Sequence, residues 1–381
     1  MVIPLKRALG TTIAAILVVV TAACTGAGPG RPGSTDSLVV VQQASVQSLN
    51  PNIASQRSSS RIAGEIVESA VKISYDGATP TLVPGLAESW QQFEPTRWRF
   101  AVRPNVTFSN GEPLTAEAFA KSLEYYRQDP AGKVTIVMSN IEIEVVDPMT
   151  FDVVTSTPDL GSLPAQMTWM PIVPPAYRGG MSDADFGIAP IGTGPYVLAN
   201  WQKGVAIELE ANPGYWGEQP AIKKVTIKTV PDAATRVGML ETGAADIVGD
   251  ITPELAPRVE RIQNAKVDFA PSDSRVFLAL RTDRAPTDDV RVRQAINYAI
   301  DRQAIIDSLF HGHADPLTGL FVEGEAGYDP SFGGYTYDPG KARALLAEAG
   351  HPDGVAIDLN YTIGTSVLDE EVAQALQGQL Q

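Results

Sequence analysis

The sequence is poor in the residues from which metal and redox sites are built. Its 381 residues include one cysteine, Cys24, and three histidines. A single cysteine cannot form a disulfide bond within the chain. His311 and His313 lie two residues apart, but no cysteine or His-Glu-x-x-His pattern accompanies them, so they make a weak metal site. We therefore predict that the protein holds no metal and no cofactor.

Basic residues are also scarce. Lysine and arginine together number 29 against 44 aspartates and glutamates, which gives a net charge of -15. Binding to nucleic acid requires clustered basic side chains that contact phosphates. The sequence contains no such cluster, so we predict that nucleic acid is not a partner.

Catalytic signatures are missing as well. The sequence has no Gly-x-Ser-x-Gly elbow and no phosphate-binding Gly-x-x-x-x-Gly-Lys loop. Residues 28–33 match the Gly-x-Gly-x-x-Gly pattern, but no strand precedes them and no helix follows, which excludes a dinucleotide site. Carboxylates are abundant, yet no sequence context marks any of them for general acid–base catalysis. We predict a protein that is not an enzyme. A cell-surface hydrolase whose site has no readable signature is the alternative.

The N-terminus carries an apolar run with the layout of an export signal. Lys6 and Arg7 precede the run at residues 8–20, and small residues at 21–23 precede Cys24. This layout predicts a signal peptide over residues 1–23, since the run is too short for a transmembrane helix. Its end resembles a bacterial lipobox, in which the cysteine is lipidated; a secretory signal with an incidental cysteine is the alternative. We expect a lipid-anchored, flexible tether over residues 24–36 that holds the protein on the outer face of the cytoplasmic membrane, at the cell surface or in the periplasm.

The rest of the chain alternates between strand and helix patterns, and its length predicts two or three domains. The apolar run Leu38 to Val41 is typical of a strand that is buried on both faces of an α/β sheet. Further strands are predicted where apolar residues alternate or cluster, at residues 98–102, 141–145, 206–209, 222–230, 245–248 and 357–361. Helical spacing lies between many of them, so the pattern favours an α/β fold.

The region from residue 289 to 302 has the most regular helical spacing. Val292, Ala295 and Ile296 begin one apolar stripe, and an aspartate precedes the helix at a capping position. Asp301 is expected to cap a second helix. Stripes of this kind are usually core, so we predict a structural helix pair without ligand contacts.

Several segments together resemble the solute-binding proteins of bacterial ABC importers, in the family (family 5) that serves oligopeptides, dipeptides and nickel. In chain order these segments are Pro84–Trp90, Phe108–Glu117, Gly192–Tyr196, Asn212–Trp216, Asp289–Arg302 and Tyr337–Gly350. The resemblance covers the chain from about Leu38 to its last residue.

The resemblance implies a periplasmic-binding-protein-like two-lobed clamp of type II, in its three-domain variant. Lobe I would comprise residues 37–65 and 190–270, an inserted small α/β domain would comprise residues 66–189, and lobe II would comprise residues 271–381. Members of the family continue beyond the position of Gln381, so we expect lobe II to be incomplete and the chain to be a fragment or a truncated reading frame. We also expect such a chain to bind solute poorly.

The implied function is capture of a peptide between the lobes and its delivery to the membrane subunits of an ABC permease, by a monomer. The loop after Ser48–Pro51 would contact ligand through Ser55, Gln56 and Arg57. A strand before the helix pair would do so through Ser272, Ser274 and Phe277. The family usually has aspartate where this chain has Asn50. A receptor for another solute, such as a metal chelate or an oligosaccharide, is the alternative.

Overall fold

The computed structural model describes residues 36–54, 57–76, 79–159, 161–269, 275–322, 328–362 and 367–381. The predicted signal peptide, Cys24 and nearly all of the predicted tether lie outside these residues. Ser55, Gln56, Ser272 and Ser274 lie outside them as well. No helix in the described part of the chain has the length and apolar character needed to cross a membrane.

The strands form two larger sheets and one hairpin. Their bounds are β1 (Ser37–Gln42), β2 (Val71–Asp76), β3 (Thr79–Pro84), β4 (Ala87–Glu94), β5 (Arg97–Val102), β6 (Ile141–Asp147), β7 (Thr150–Thr155), β8 (Tyr196–Gln202), β9 (Ala206–Ala211), β10 (Lys224–Thr229) and β11 (Ile247–Val248). The strand orders are β11-β1-β10-β9-β8 in one sheet and β4-β5-β7-β6 in the other, and β2 pairs with β3.

The helices pack against these sheets or against one another. Their bounds are α1 (Arg57–Ile66), α2 (Ala116–Tyr126), α3 (Lys133–Val137), α4 (Leu163–Gln166), α5 (Pro175–Arg178), α6 (Asp183–Ile188), α7 (Ala233–Glu241), α8 (Ala256–Glu260), α9 (Val290–Ala299), α10 (Arg302–Leu309), α11 (Pro339–Glu348) and α12 (Asp369–Leu380). Short 3₁₀ turns lie at Met167–Trp169 and Pro253–Leu255.

The five-stranded sheet is built around β1, as the apolar run at its start predicts. β1 is parallel to both of its neighbours, β10 and β11, while β9 is antiparallel to both β8 and β10. Val39 and Val41 are buried on one face of β1 in a cluster that includes Met239 of α7. Val40 and Ile227 are paired on the opposite face. Apolar side chains therefore lie against both faces of β1, which explains why the run is apolar throughout.

The antiparallel sheet has an aromatic core. Phe100 of β5 and Phe151 of β7 stack with ring centroids 5.2 Å apart, and Phe119 of α2 lies 4.4 Å from Phe151. All three rings are fully buried. Strand alternation in β5 and β6 and helical spacing in α2 were all readable in the sequence. The predicted strands in this region are confirmed.

The predicted helix pair and its buried stripe are also confirmed, while the expectation that the pair makes no ligand contact stays a prediction. Val292, Ala295 and Ile296 are buried on one face of α9. Asp289 caps α9 by accepting a hydrogen bond from the Arg291 backbone N–H at 2.8 Å, and Asp301 caps α10 by accepting one from the Ala304 N–H at 3.0 Å. The stripe belongs to a cluster that α10 and α12 complete.

The strands expected on either side of these helices are not formed. Residues 275–280 and 355–362 have neither strand pairing nor helix within the described part of the chain. Val276 is 58% and Phe277 is 66% exposed. Alternation along a segment favours an extended backbone, but a strand also needs a neighbour with which to exchange ladder hydrogen bonds. The prediction of a strand at 357–361, and of a ligand-contacting strand that includes Phe277, was therefore wrong for the described residues.

We expect the backbone amides of these two segments to exchange with deuterium about a hundredfold or more faster than those of α9, because exchange rates follow local opening and these amides form no ladder. Native-state hydrogen exchange read by mass spectrometry measures both in one sample. Protection of residues 275–280 equal to that of α9 would contradict the expectation.

The cap of α9 makes a pH-dependent contribution to stability. The side chain of Arg291 and its backbone N–H both bond to Asp289, and they lower the pKa of this carboxyl from 3.8 to about 2. A carboxyl whose pKa is depressed on folding stabilises the protein above its unfolded pKa, and this contribution is lost as the pH falls through the folded value. Between pH 4 and pH 2, therefore, the free energy of unfolding should fall more steeply for the natural chain than for Asp289→Asn. Parallel denaturant titrations at several pH values measure the two slopes, and equal slopes would contradict the assignment.

Candidate functional site

A cleft with a volume of about 1870 Å³ separates the five-stranded sheet and α1 from the C-terminal helices. The sheet contributes apolar side chains from its concave face, among them Val40, Leu209 and Ile227. Helices α9 and α10 face it with Ile296, Asn297, Ile300, Arg302, Ile305 and Ile306. The cleft therefore has apolar walls with a few polar and charged groups between them, which is the usual composition of a small-molecule site.

One face of α1 lines the cleft. Arg57, Arg61 and Glu65 follow one another at intervals of four residues and all reach the cavity. Of the ligand-contacting residues predicted from the sequence, Arg57 and Phe277 are described, and both line this one cavity. Ser55, Gln56, Ser272 and Ser274 lie outside the described residues. That any of the six contacts a ligand stays a prediction.

The described part of the loop before α1, residues 48–54, is anchored by two buried asparagines. The Asn50 side-chain amide donates to Asp183 Oδ1 at 3.0 Å, and its Oδ1 accepts from the Asn52 N–H at 3.0 Å. Asn52 in turn accepts from the Val134 N–H at 2.9 Å. An aspartate in place of Asn50 could not donate this bond and would set two carboxylates side by side. Asp183 thus explains why asparagine stands where aspartate was expected.

Behind the cleft, Glu68 joins two of the motifs that the sequence singled out. The carboxylate is 4% exposed and accepts hydrogen bonds from Thr193 Oγ1 at 2.9 Å and from Trp216 Nε1 at 2.7 Å. Tyr215 donates a third bond at 3.1 Å, and Lys72 forms an ion pair with the same group. Burial opposes the charge of Lys72, but the Glu68 carboxylate outweighs it and raises the pKa of the ammonium. Segments 192–196 and 212–216 are therefore held together by one buried acid.

The glycines of segment 192–196 allow it to lie against the end of α1. A Cβ atom at Gly192 would come 2.0 Å from the carbonyl oxygen of Ile66, and one at Gly194 would come 2.2 Å from that of Glu65. The Gly194 N–H donates to the Ile66 carbonyl at 2.9 Å. Only glycine permits this contact, which fixes the last turn of α1 and with it Glu65 at the cleft.

A buried arginine organises another edge of the cleft. The Arg236 guanidinium, in α7, is 1% exposed and donates to backbone carbonyls instead of a carboxylate. Its acceptors are Val230 at 2.8 Å, Pro231 at 2.7 Å, Gly249 at 3.1 Å and Asp250. Desolvation lowers the pKa of Arg236. These bonds join the ends of β10 and β11, where Gly249 and Asp250 line the cavity.

Two other groups are placed on the helical side of the cleft. The Arg302 guanidinium donates to Asn297 Oδ1 at 2.9 Å, and burial lowers its pKa. His313 stacks on Phe269 with ring centroids 3.8 Å apart. In the described residues, no group of three or more His, Cys, Asp or Glu side chains is arranged to hold a metal ion.

Sequence reasoning missed Glu68, Arg236 and the possible role of Arg302 in the cleft. Neither Glu68 nor Arg236 lies in a recognisable sequence motif. Arg302 was counted only as part of a structural helix pair. Segments 192–196 and 212–216 supply three donors to Glu68, but nothing in either segment indicates that they share an acceptor.

Comparison with known proteins places the chain in a family. Residues 81–381 match the family described as "Bacterial extracellular solute-binding proteins, family 5 Middle". The chain is similar to the nickel-binding periplasmic protein of Escherichia coli K12, with 30% identity over 342 residues, covering 83% of this chain and 63% of that protein. It is also similar to the glutathione-binding protein GsiB of Salmonella paratyphi A, with 32% identity over 292 residues, covering 74% of this chain and 56% of that protein. The chain thus spans less than two thirds of the length of either relative.

The fold has a close counterpart among solved structures. The periplasmic binding protein DppA of Helicobacter pylori, in complex with the peptide STSA, superposes with a TM-score of 0.81 and 25% identity, covering 90% of this chain and 72% of that one. This likeness confirms the predicted α/β fold of the type II periplasmic-binding-protein class.

Proposed function

The chain belongs to the bacterial extracellular solute-binding proteins of family 5, and we propose that it captures a peptide in its cleft and delivers it to the membrane permease of an ABC importer. The observation that carries this proposal is the cavity of about 1870 Å³ between the five-stranded sheet with α1 and the helices α9 and α10. Its lining combines apolar walls with a few charged groups, which suits a ligand that carries both backbone and side-chain groups. The chain acts in this proposal as a monomeric binding protein and not as an enzyme.

The proposed domains follow the sheets. Residues 37–65 and 190–270 form lobe I, in which β1 pairs with β10 and β11 from the far side of the intervening segment. Residues 66–189 form the inserted domain around the antiparallel sheet, and residues 271–381 form lobe II around α9 to α12. Closure of the lobes around a solute is a hinge motion that contacts made only in the closed state stabilise.

The proposed location is the outer face of the cytoplasmic membrane, through a lipid on Cys24 after removal of residues 1–23. Two sequence features support it: the short apolar run and the small residues before Cys24. Labelling of expressing cells with a radioactive fatty acid tests the anchor. The natural chain should be labelled and Cys24→Ala should not.

The peptide assignment is supported by the similarity to the DppA complex, whose ligand is a peptide. A receptor for a metal chelate is the second candidate, because the nickel-binding relative is 30% identical to this chain. Isothermal titration calorimetry on the exported chain separates the two, with the peptide Ser-Thr-Ser-Ala, nickel–histidine complex and maltotriose as probes. Saturable binding of the peptide is expected, with the weak affinity that the sequence predicts for a chain of this length.

Variants of the two described site residues complete the test. Arg57→Ala and Phe277→Ala should weaken peptide binding by about tenfold each, the effect of one lost charged or aromatic contact. Arg343→Ala on α11, which does not line the cavity, is the matched control and should bind as the natural chain does. Binding of the nickel complex alone would favour the second candidate, and binding of none of the probes would overturn the proposal.

A further inference from the structure

The charge of the cleft differs from that of the whole protein. The chain carries a net charge of -15. The described lining of the cavity, however, includes four arginines against three carboxylates. The arginines are Arg57, Arg61, Arg275 and Arg302, and the carboxylates are Glu65, Asp250 and Asp315. The lining thus carries a small excess of positive charge in a protein whose acidic residues outnumber its basic ones. Such an excess raises the local potential toward anions, because low-dielectric walls focus the field.

The α1 wall supplies donors on consecutive turns. Arg57 and Arg61 are four residues apart and both reach the cavity. Arg61 has no ion pair with another described residue, and its side chain is exposed to the cleft. Between them, the Ser58 hydroxyl oxygen is buried and has no hydrogen-bond partner among the described residues, although Ser58 also lines the cavity. A buried hydroxyl without a partner is unusual in a native structure, and at this position it can serve a polar group of a ligand.

The helical wall presents a second cation without a counter-ion. Arg302 is held in place by Asn297 and by the Tyr335 carbonyl, so its guanidinium has a defined position. No described carboxylate forms an ion pair with it. Desolvation lowers the pKa of Arg302, as is expected of a cation that is partly buried without an acid beside it. Guanidinium groups bind carboxylates with two parallel hydrogen bonds, which makes them the preferred side chains for this ligand group.

We propose that the solute is an anion with at least two carboxylates, which the cleft recognises through Arg61 and Ser58 on the α1 wall and Arg302 on the helical wall. This inference rests on the proposed function and narrows its substrate class. Like charges on two opposed walls repel one another as the walls approach. A carboxylate-bearing solute between them replaces this repulsion by attraction, so closure is favoured only when such a solute is bound.

A matched pair of tripeptides tests the inference by calorimetry on the full chain. Ala-Glu-Glu and Ala-Gln-Gln have the same size and differ in two carboxylates. The natural chain should bind Ala-Glu-Glu about tenfold or more tightly than Ala-Gln-Gln, as charged hydrogen bonds are stronger than neutral ones. The affinity for Ala-Glu-Glu should also fall as salt is raised, while that for Ala-Gln-Gln should change little.

Three variants assign the preference to residues. Arg61→Gln should abolish most of the preference for Ala-Glu-Glu, and Arg302→Lys should reduce it because an ammonium does not reproduce the two-pronged contact. Arg343→Gln removes an exposed arginine outside the cleft and should leave the preference unchanged. Thermal unfolding of each variant shows whether it is folded, and exposed Arg61 gives a variant that retains the fold.

The possible results separate the inference from the function on which it rests. Equal affinity for the two tripeptides, unaffected by Arg61→Gln, overturns the anionic substrate class but leaves the peptide receptor intact. A preference that Arg343→Gln reduces as much as Arg61→Gln also overturns the inference, because the effect would then reflect overall charge. Binding of neither tripeptide nor of Ser-Thr-Ser-Ala overturns both the substrate class and the proposed function.

Discussion

Replacing Glu68 by alanine is expected to lower the free energy of unfolding by about 3 kcal/mol, because several hydrogen-bond donors lose a buried charged acceptor at once. Glu68 is 4% exposed and accepts bonds from three neutral donors in addition to Lys72. Without it, the buried Thr193 hydroxyl and the Trp216 indole N–H lose their acceptor, and each unsatisfied group costs about 1–3 kcal/mol. The Lys72 ammonium would also lose its partner.

The measurement is urea unfolding followed by circular dichroism, with Glu142→Ala as the control. Glu142 forms an ion pair with Arg127 on the protein surface, and its side chain is 70% exposed. Such pairs contribute about 0–1 kcal/mol, so the control should unfold almost as the natural chain does. Glu68→Gln, which keeps an acceptor oxygen but no charge, should lie between the two. Similar decreases in the free energy of unfolding for Glu68→Ala and Glu142→Ala would show that the buried network contributes no more to stability than a surface ion pair.

The case of Glu68 shows where sequence reasoning ends. The two segments that contact Glu68 were recognised by their resemblance to segments of a family. The residues next to Glu68 in the sequence form no recognisable motif. Its partners Thr193 and Trp216 are 125 and 148 residues away along the chain. A bond between residues so distant leaves no periodic trace, and only the packed structure shows which acceptor serves these donors.

Elements with strong local patterns were predictable because the residues that determine them are close together in the sequence. α9 combines an apolar stripe with a capping aspartate, and both features act within one turn or two of the helix. β1 and β5 were predictable because a strand that is buried on both faces has a continuous apolar run, and one that is buried on one face has alternating apolar residues. The segment at 357–361 has the same alternation as β5, yet no described strand pairs with it. Alternation therefore predicts which residues could pair, but not whether a partner is present.

The candidate site was predictable in part. Arg57 and Phe277 came from the resemblance to a family, and the structure brings both to one cavity from different parts of the chain. Arg236 was not predicted, because an arginine inside a helical pattern is normally taken as exposed. Its burial is explained by carbonyl oxygens at the ends of β10 and β11, which converge only in the folded sheet.

Arg236→Met is the second substitution with a large expected effect. Methionine fills a similar volume, but it offers no donor to the carbonyls of Val230, Pro231, Gly249 and Asp250. We expect the free energy of unfolding to fall by about 3 kcal/mol, since several buried acceptors lose a charged donor at once. Arg236→Lys should be intermediate, because an ammonium is a point charge with a different donor geometry.

The control and the local readout distinguish Arg236 from an ordinary surface arginine. Arg258→Met removes an ion pair with Glu241 that is partly exposed, and it should cost about 1 kcal/mol or less. Because Arg236 joins the ends of β10 and β11, its loss should also increase deuterium exchange at Gly249 and at neighbouring amides that line the cleft. α9, on the other side of the cavity, should keep its protection. If Arg236→Met and Arg258→Met unfold at the same urea concentration, the carbonyl-bound guanidinium does not hold this edge of the cleft together.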